Sequence, residues 1–246
     1  MAISELIEFT GKGREDETWH AADLLIFTKQ TRLEMTSGQL EEVKSWSEEK
    51  KRQELEYMAG TIPSSWEFIE MTFLLSGVSR AAAQQITRTR TGSYAMQSLR
   101  VVDASGLGIV NTCPPGSYAQ EAFTRYADFA RFAYKDLVEG GASREDARGI
   151  LPLNTTCTLV AKYNLRSFVD LMKARGSLRV QGEYSDLADQ MKEQVIATWP
   201  WSAPFFVHPM EKAIAMLEEV AQELGLTPGA GHGWQIAKAI DLIRKG

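Results

Sequence analysis

Cysteine, histidine and long apolar runs are scarce in this sequence, and each scarcity excludes something. Two cysteines in 246 residues, Cys113 and Cys157, cannot build a disulfide framework, and they lack the spacing of a metal pair. The three histidines, His20, His208 and His232, are scattered. They set up no metal site, and none adjoins an obvious Ser or Cys nucleophile. No stretch approaches the roughly 20 apolar residues of a membrane helix. The opening Met-Ala-Ile-Ser-Glu-Leu-Ile-Glu carries acids where a secretory leader has a basic and then an apolar run. These absences predict a soluble, cytoplasmic protein with no metal and no membrane partner.

What is present is ordinary for a folded chain: 44% hydrophobic residues, 24% charged, and a formal net charge of −5. That composition is too apolar for disorder, and the length suits one domain over residues 1–246. The acidity argues against a general nucleic-acid binder. Local patterns predict a mixed α and β fold, helix-rich in the C-terminal half. Leu24-Leu25-Ile26-Phe27-Thr28 reads as a buried strand, residues 39–60 as one solvated helix ending at Gly60, and Trp66 to Leu75 as a second strand. Ser79 is a good N-cap for Arg80-Ala81-Ala82-Ala83. Residues 105–117 form a loop, followed by helices at 118–138, from Ser143, and at 164–175, 183–198 and 209–224. Gly229-Ala230-Gly231-His232-Gly233 lacks the Gly-Lys-Ser/Thr ending of a phosphate loop and reads as a connector. Cys157 reads as a small buried residue rather than a thiolate.

One segment breaks the average. Met71 to Val102 is 32 residues with Arg80, Arg88, Arg90 and Arg100 and no acid, a local +4 in a chain of −5. Hydroxyls and amides are interleaved: Gln84, Gln85, Thr87, Thr89, Thr91, Ser93, Tyr94, Gln97 and Ser98. Gln84 and Arg88 share a helix face, and Gly92-Ser93 then breaks the helix, so Arg90 to Arg100 reads as a loop. Arginine with hydroxyl donors at a helix end suits a phosphorylated small molecule or a dinucleotide. The structural alternative pairs these arginines with acids elsewhere, such as Glu67, Glu70 or Asp103.

The spacing favours the first reading, because it resembles a known family. Arg88-Thr89-Arg90, seven residues and Ser98 are similar to the Arg-His-Arg-x7-Ser signature of flavin-dependent thymidylate synthases. Gly77-Val78-Ser79-Arg80-Ala81 resembles the approach to that signature, and Ser98-Leu99-Arg100 its ending. Ala147-Arg148-Gly149-Ile150-Leu151-Pro152 is similar to the family's Ala-Arg-x-x-Leu-Pro segment, and Asn164-Leu165-Arg166-Ser167 with Arg175 to its Asn-x-Arg-Ser…Arg block. The three blocks are collinear over residues 60–180.

The resemblance implies an α/β fold and a homotetramer whose active sites are shared between subunits. It also implies methylation of carbon-5 of a uracil nucleotide, with tightly bound FAD, carbon from methylenetetrahydrofolate and reducing power from NADPH. Gln85, Ser98, Leu99 (by its backbone), Arg100, Arg148 and Arg175 match nucleotide positions, and Arg175 matches the residue that polarises the uracil ring. Ser64, Arg88, Thr89, Arg90, Thr91, Asn164, Arg166 and Asp170 match flavin contacts. The chain departs from the family at Ile62 and Thr89, where histidines are usual. Met96 stands for a glutamate, Asp170 for an asparagine and Val101 for an aromatic residue. These departures point to a specialised branch that takes UMP as well as dUMP, serving nucleoside-antibiotic biosynthesis. The rivals are a dUMP-restricted synthase, a non-catalytic nucleotide or flavin binder, and an RNA-binding module.

Overall fold

The computed structural model describes residues 2–30, 35–61, 63–175, 182–207 and 209–223, with only the backbone of residues 175, 209–213, 215 and 221. They fall into two compact units, one ending at Ser202 and one starting at Ala203. The first is built on a four-stranded antiparallel sheet of order β1-β2-β4-β3, with β1 Ile3–Phe9, β2 Glu70–Ser79, β3 Ser93–Met96 and β4 Thr156–Asn164. Its helices are α1 Glu17–Lys29, α2 Ser37–Lys44, α3 Glu48–Ala59, α4 Arg80–Ile86, α5 Tyr118–Glu139, α6 Arg144–Ala147, α7 Leu165–Arg175 and α8 Gly182–Thr198. The second unit contains α9, Pro209–Glu223, with Ile214 buried and Leu217 and Val220 exposed. The connector at 229–233 and the histidines His208 and His232 lie outside the described residues. The mixed α and β class expected from the sequence is what the chain adopts.

The sheet is buried on one face. Met71, Phe73 and Leu75 on β2 alternate inward beside Cys157, Leu159, Ala161 and Tyr163 on β4. Leu165, Phe168 and Val169 of α7 close over them, with the Phe73 and Phe168 rings stacked at 5.4 Å. Each such side chain removed from water contributes about 1.5–3 kcal/mol. Cys157 is the small buried residue the sequence predicted, and burial pushes its thiol pKa up. The edge strand β1 is covered by α8. Gln190 accepts from the Ser4 N–H at 3.1 Å, and Gln194 Nε2 donates to the Ser4 carbonyl at 2.6 Å.

Three local expectations are corrected. Leu24 to Thr28 is the second half of helix α1, not a strand. Ala21, Ala22, Leu25 and Ile26 repeat inward with helical spacing, and a five-residue apolar run alone does not separate the two periods. The solvated helix at 39–60 is two helices, broken at Ser45–Ser47 because Ser47 caps α3 by accepting from Lys50 N–H. Gly60 ends α3 as expected. Residues Pro63–Phe68 wind into a 3-10 turn, so β2 begins four residues later than Trp66. Gly77, at φ +67°, carries a β-bulge between Leu75 and Val78 that a side chain would strain.

The caps read from the sequence at Ser79 and Ser143 form, their hydroxyls accepting from Ala82 and Asp146 N–H. Helix α5 is capped by Ser117 and closed at Gly140-Gly141, where Gly141 takes φ +96°.

Candidate active site

The assigned residues gather at two ends of β3. The first group surrounds the turn that joins α4 to β3. Helix α4 starts at Ser79, and Glu183 of α8 secures that start. Its carboxylate accepts from Ser79 N–H at 2.7 Å and from the Ser79 hydroxyl at 2.6 Å. Gln85 is half-buried on this helix. Arg88, Thr89, Arg90 and Thr91 then form a tight turn, in which Gly92 N–H donates to the Thr89 carbonyl at 3.3 Å. Arg88 and Arg90 are exposed and form no ion pair with any described residue. The structural alternative for these two arginines is therefore not realised among the described residues: Glu67 pairs with Arg166, Glu70 with Lys162, and Asp103 accepts from Ser105 N–H.

The expectation that Arg90 to Arg100 is a loop needs correction, because Ser93–Met96 pairs with β4 as strand β3. The cause is a polar strand with a short ladder, which carries little hydrophobic alternation to read. Tyr94 supplies its one inward anchor. Its hydroxyl donates to the Thr89 carbonyl at 2.7 Å, and its ring meets Tyr163 edge-on at 5.8 Å. Burial raises the pKa of both phenols.

Ser93 pairs with Lys162, so the turn lies at the same sheet end as Asn164, the last residue of β4. Asn164 Oδ1 accepts from Ser167 N–H at 2.8 Å and starts α7. Arg166 and Asp170 are exposed one helical turn apart on α7. Arg166 Nη1 lies 2.7 Å from Glu67 Oε1, which ties α7 to the 3-10 turn that holds exposed Ser64. The flavin-matched residues thus occupy one end of the sheet.

The second group lies past the other end of β3. Gln97 prolongs the ladder: its N–H donates to the Thr158 carbonyl at 2.9 Å, and its side chain accepts from Thr158 N–H at 3.1 Å. Ser98 is exposed, and Leu99 is buried in a small core with Ala104, Tyr134 and Ala147. That anchor turns the Leu99 side chain inward and leaves the flanking backbone at the surface. Arg100 reaches Glu145 with two nitrogens, Nε to Oε1 at 2.8 Å and Nη2 to Oε2 at 2.9 Å. Arg148 Nη2 lies 3.9 Å from the same carboxylate, and its Nε donates to the Glu145 carbonyl at 3.1 Å. Two nucleotide-matched arginines from distant blocks therefore converge on one acid. Sequence reasoning missed Glu145, a first-turn acid of the capped helix α6. It also missed Glu183. Arg175 ends α7, and its side chain lies outside the described residues.

The residues fit a flavin dinucleotide at the first end. The Arg88 and Arg90 guanidiniums, in no ion pair with a described residue, and the Thr91 hydroxyl are the donors a pyrophosphate needs. They stand at the sheet end where α7 begins, with half-buried Asn164 and exposed Arg166. No group of acidic, histidine or cysteine side chains able to hold a metal occurs among the described residues, and no helix among them is long and apolar enough to cross a membrane.

The chain is 34% identical over 137 residues to the flavin-dependent thymidylate synthase of Nitratidesulfovibrio vulgaris, covering 51% of this chain and 55% of that one. It is 33% identical over 138 residues to the enzyme of that name from Geobacter sulfurreducens, covering 54% and 60%. The chain thus spans little more than half the length of these curated relatives. In three dimensions it is similar to the crystal structure of the UMP/dUMP methylase PolB from Streptomyces cacaoi bound with 5-Br dUMP. The TM-score is 0.63 at 23% identity, covering 84% of this chain and 94% of that one. The model of the family described as "Thymidylate synthase complementing protein" matches residues 5–201. With most of its length matched, the chain belongs to that family, the flavin-dependent thymidylate synthases.

Proposed function

We propose that this protein methylates carbon-5 of uridine monophosphates, UMP and dUMP, in the cytoplasm, with FAD bound, methylenetetrahydrofolate as carbon donor and NADPH as reductant. One observation carries the reading: Arg100 and Arg148 are brought onto a single exposed carboxylate, Glu145, which a phosphate monoester can replace. The neighbouring Ser98 hydroxyl and the Leu99–Arg100 backbone complete a donor set for that phosphate. At the other end of β3, Arg88, Arg90, Thr91, Ser64, Asn164, Arg166 and Asp170 would hold the flavin, with Thr89 supplying backbone. When bound and reduced, FAD supplies the hydride equivalents the methylation requires. Arg175 stabilises the negative charge that develops on the uracil ring.

The two donor sets stand apart along the sheet by roughly 15 Å, five residues of strand at about 3.3 Å each. This separation favours active sites completed by other copies of the chain, as in a homotetramer. A second feature favours the same assembly. Helix α5 buries Ala127 and Tyr134 on one side, yet exposes Tyr118, Tyr126, Phe129 and Phe132 by 76%, 73%, 66% and 67% on another. A contiguous aromatic stripe of that kind is an interface signature.

Met96 in place of a carboxylate, with Thr89 in place of the signature histidine, favours the branch that accepts UMP and serves nucleoside-antibiotic biosynthesis. PolB, described as a UMP/dUMP methylase, shares the fold. The test is direct. Purified full chain is supplied with FAD, NADPH, methylenetetrahydrofolate and either UMP or dUMP, and 5-methylated product is followed by mass spectrometry. Product from both nucleotides is expected. Product from dUMP alone narrows the reading to a thymidylate synthase, and flavin and nucleotide binding without product from either overturns it.

A further inference from the structure

Three features meet at the Arg88–Thr91 turn, and two of them, Gly92 and Tyr94, fall at unspecified positions of the family signature. The Thr89 carbonyl is a hub, accepting from Gly92 N–H at 3.3 Å and from the Tyr94 hydroxyl at 2.7 Å. The Tyr94 ring is fixed from behind by Tyr163, which is 1% exposed in the sheet core. Gly92 leaves the space for this arrangement. A Cβ there would lie 2.5 Å from the Tyr94 hydroxyl oxygen and 2.7 Å from a Tyr163 ring carbon. The side chains of Arg88, Arg90 and Thr91 are exposed, and that of Thr89 is only half-buried. Beyond the turn's backbone bonds, its shape is held from outside by the Tyr94 hydroxyl.

We infer that Tyr94 is a positioning residue, whose hydroxyl locks the Thr89 carbonyl and so aims Arg88 and Arg90 at the phosphates of the dinucleotide. The inference rests on the proposed flavin role of this turn. It also gives a physical answer to how a turn with Thr89 at the signature's centre keeps its geometry. The carbonyl of that residue is held, so its side chain need not be. The chain of restraint runs from the core, through Tyr163 and Tyr94, to the Thr89 backbone and then to the two arginines. Gly92 is part of the same device, since any side chain would push the phenol away.

Tyr94→Phe deletes the hydroxyl and keeps the ring. In the full chain it is expected to weaken FAD affinity about tenfold, the effect of one partly buried hydrogen bond with its neighbours loosened. Amide hydrogen exchange at residues 90–92 of the flavin-free protein is expected to rise by about the same factor. Gly92→Ala, with Tyr94 intact, is expected to reproduce both changes. A merely structural tyrosine would lower the melting temperature and leave both the flavin dissociation constant and local exchange of the folded protein at wild-type values. That result overturns the inference while the functional reading stands. If the wild-type chain has no affinity for FAD, the functional reading fails and the flavin half of the inference fails with it. The exchange result then still decides whether Tyr94 sets the turn.

Discussion

The helical arm α1–α3 and the rim around β3 both depend on cation–carboxylate pairs, with opposite physical consequences. In the arm, Lys51 Nζ lies 2.6 Å from Asp23 Oδ1, their side chains 7% and 3% exposed, and Lys51 also donates to the Lys44 carbonyl at 3.1 Å. Around them Ala22, Leu25, Ile26, Val43, Leu55 and Met58 exclude water. At the rim, Arg100 pairs with Glu145 while the two side chains remain 59% and 47% exposed. A buried pair is committed, because neither charge can be left alone in the interior. An exposed pair is held so weakly against water that another anion can take its place. A cation–carboxylate pair thus makes a structural joint in one region and an exchangeable binding position in the other.

The sharpest way to break this contrast is Lys51→Met. It strands Asp23 in an apolar setting and is expected to cost about 3–5 kcal/mol of stability, read by chemical denaturation. Asp23→Leu with Lys51→Met should recover most of that loss, since no unpaired charge remains. Nucleotide and flavin affinities of the folded variants should not move. A cost below about 1 kcal/mol would place the pair among ordinary surface bridges and remove the distinction.

Arg100→Ala should do the reverse. Stability is expected to change by less than about 1 kcal/mol, while dUMP affinity measured by calorimetry falls about 10- to 100-fold through loss of a charge-assisted, two-pronged contact. Glu145→Gln is the finer probe. If the acid is a placeholder for phosphate, neutralising it tightens inorganic phosphate binding by about threefold, the scale of an exposed pair. Weaker binding in this variant would show that Glu145 orients the arginines instead of competing for them.

Much of the fold and of the candidate site was legible in the residues, and the remainder was not for identifiable reasons. The acid-free run from Met71 to Val102, the Ser79 and Ser143 caps and the Gly140-Gly141 stop are local features, and local features survive into the fold. The three collinear blocks supplied the family. Strand β1, with Ile3 exposed and Ser4 buried, carries no alternation that a short window detects. The strand expected at Leu24–Thr28 fails because a buried helix and a buried strand look alike over five residues. Partners separated by 45 and 104 positions, such as Arg100 with Glu145 and Ser79 with Glu183, are set by the chain's path and leave no mark in spacing.

The smallest expected effect tests whether the arm is wholly structural. His20, on α1, is held below the ordinary histidine value of 6.5, first by burial and then by Arg14, with Asp16 and Asp23 opposing and Lys44 assisting. The unfolded chain therefore binds this proton more readily than the folded one. Stability from His20 is complete above pH 6.5 and is lost as pH falls through the lowered folded value. Asp23 runs the other way. Its carboxyl is raised above 3.8 by burial, with Lys51 pulling it down, so its protonated form is favoured by folding, and this stability, full below 3.8, is lost as pH rises through the raised value. His20→Gln should flatten the decline of the melting temperature just below pH 6.5 and leave the more acidic limb unchanged. Because both groups sit in α1, away from β3, dUMP affinity over the same pH range should follow the wild-type curve. A parallel shift in affinity would mean that the arm and the rim are coupled, and the division drawn between them would then have to be abandoned.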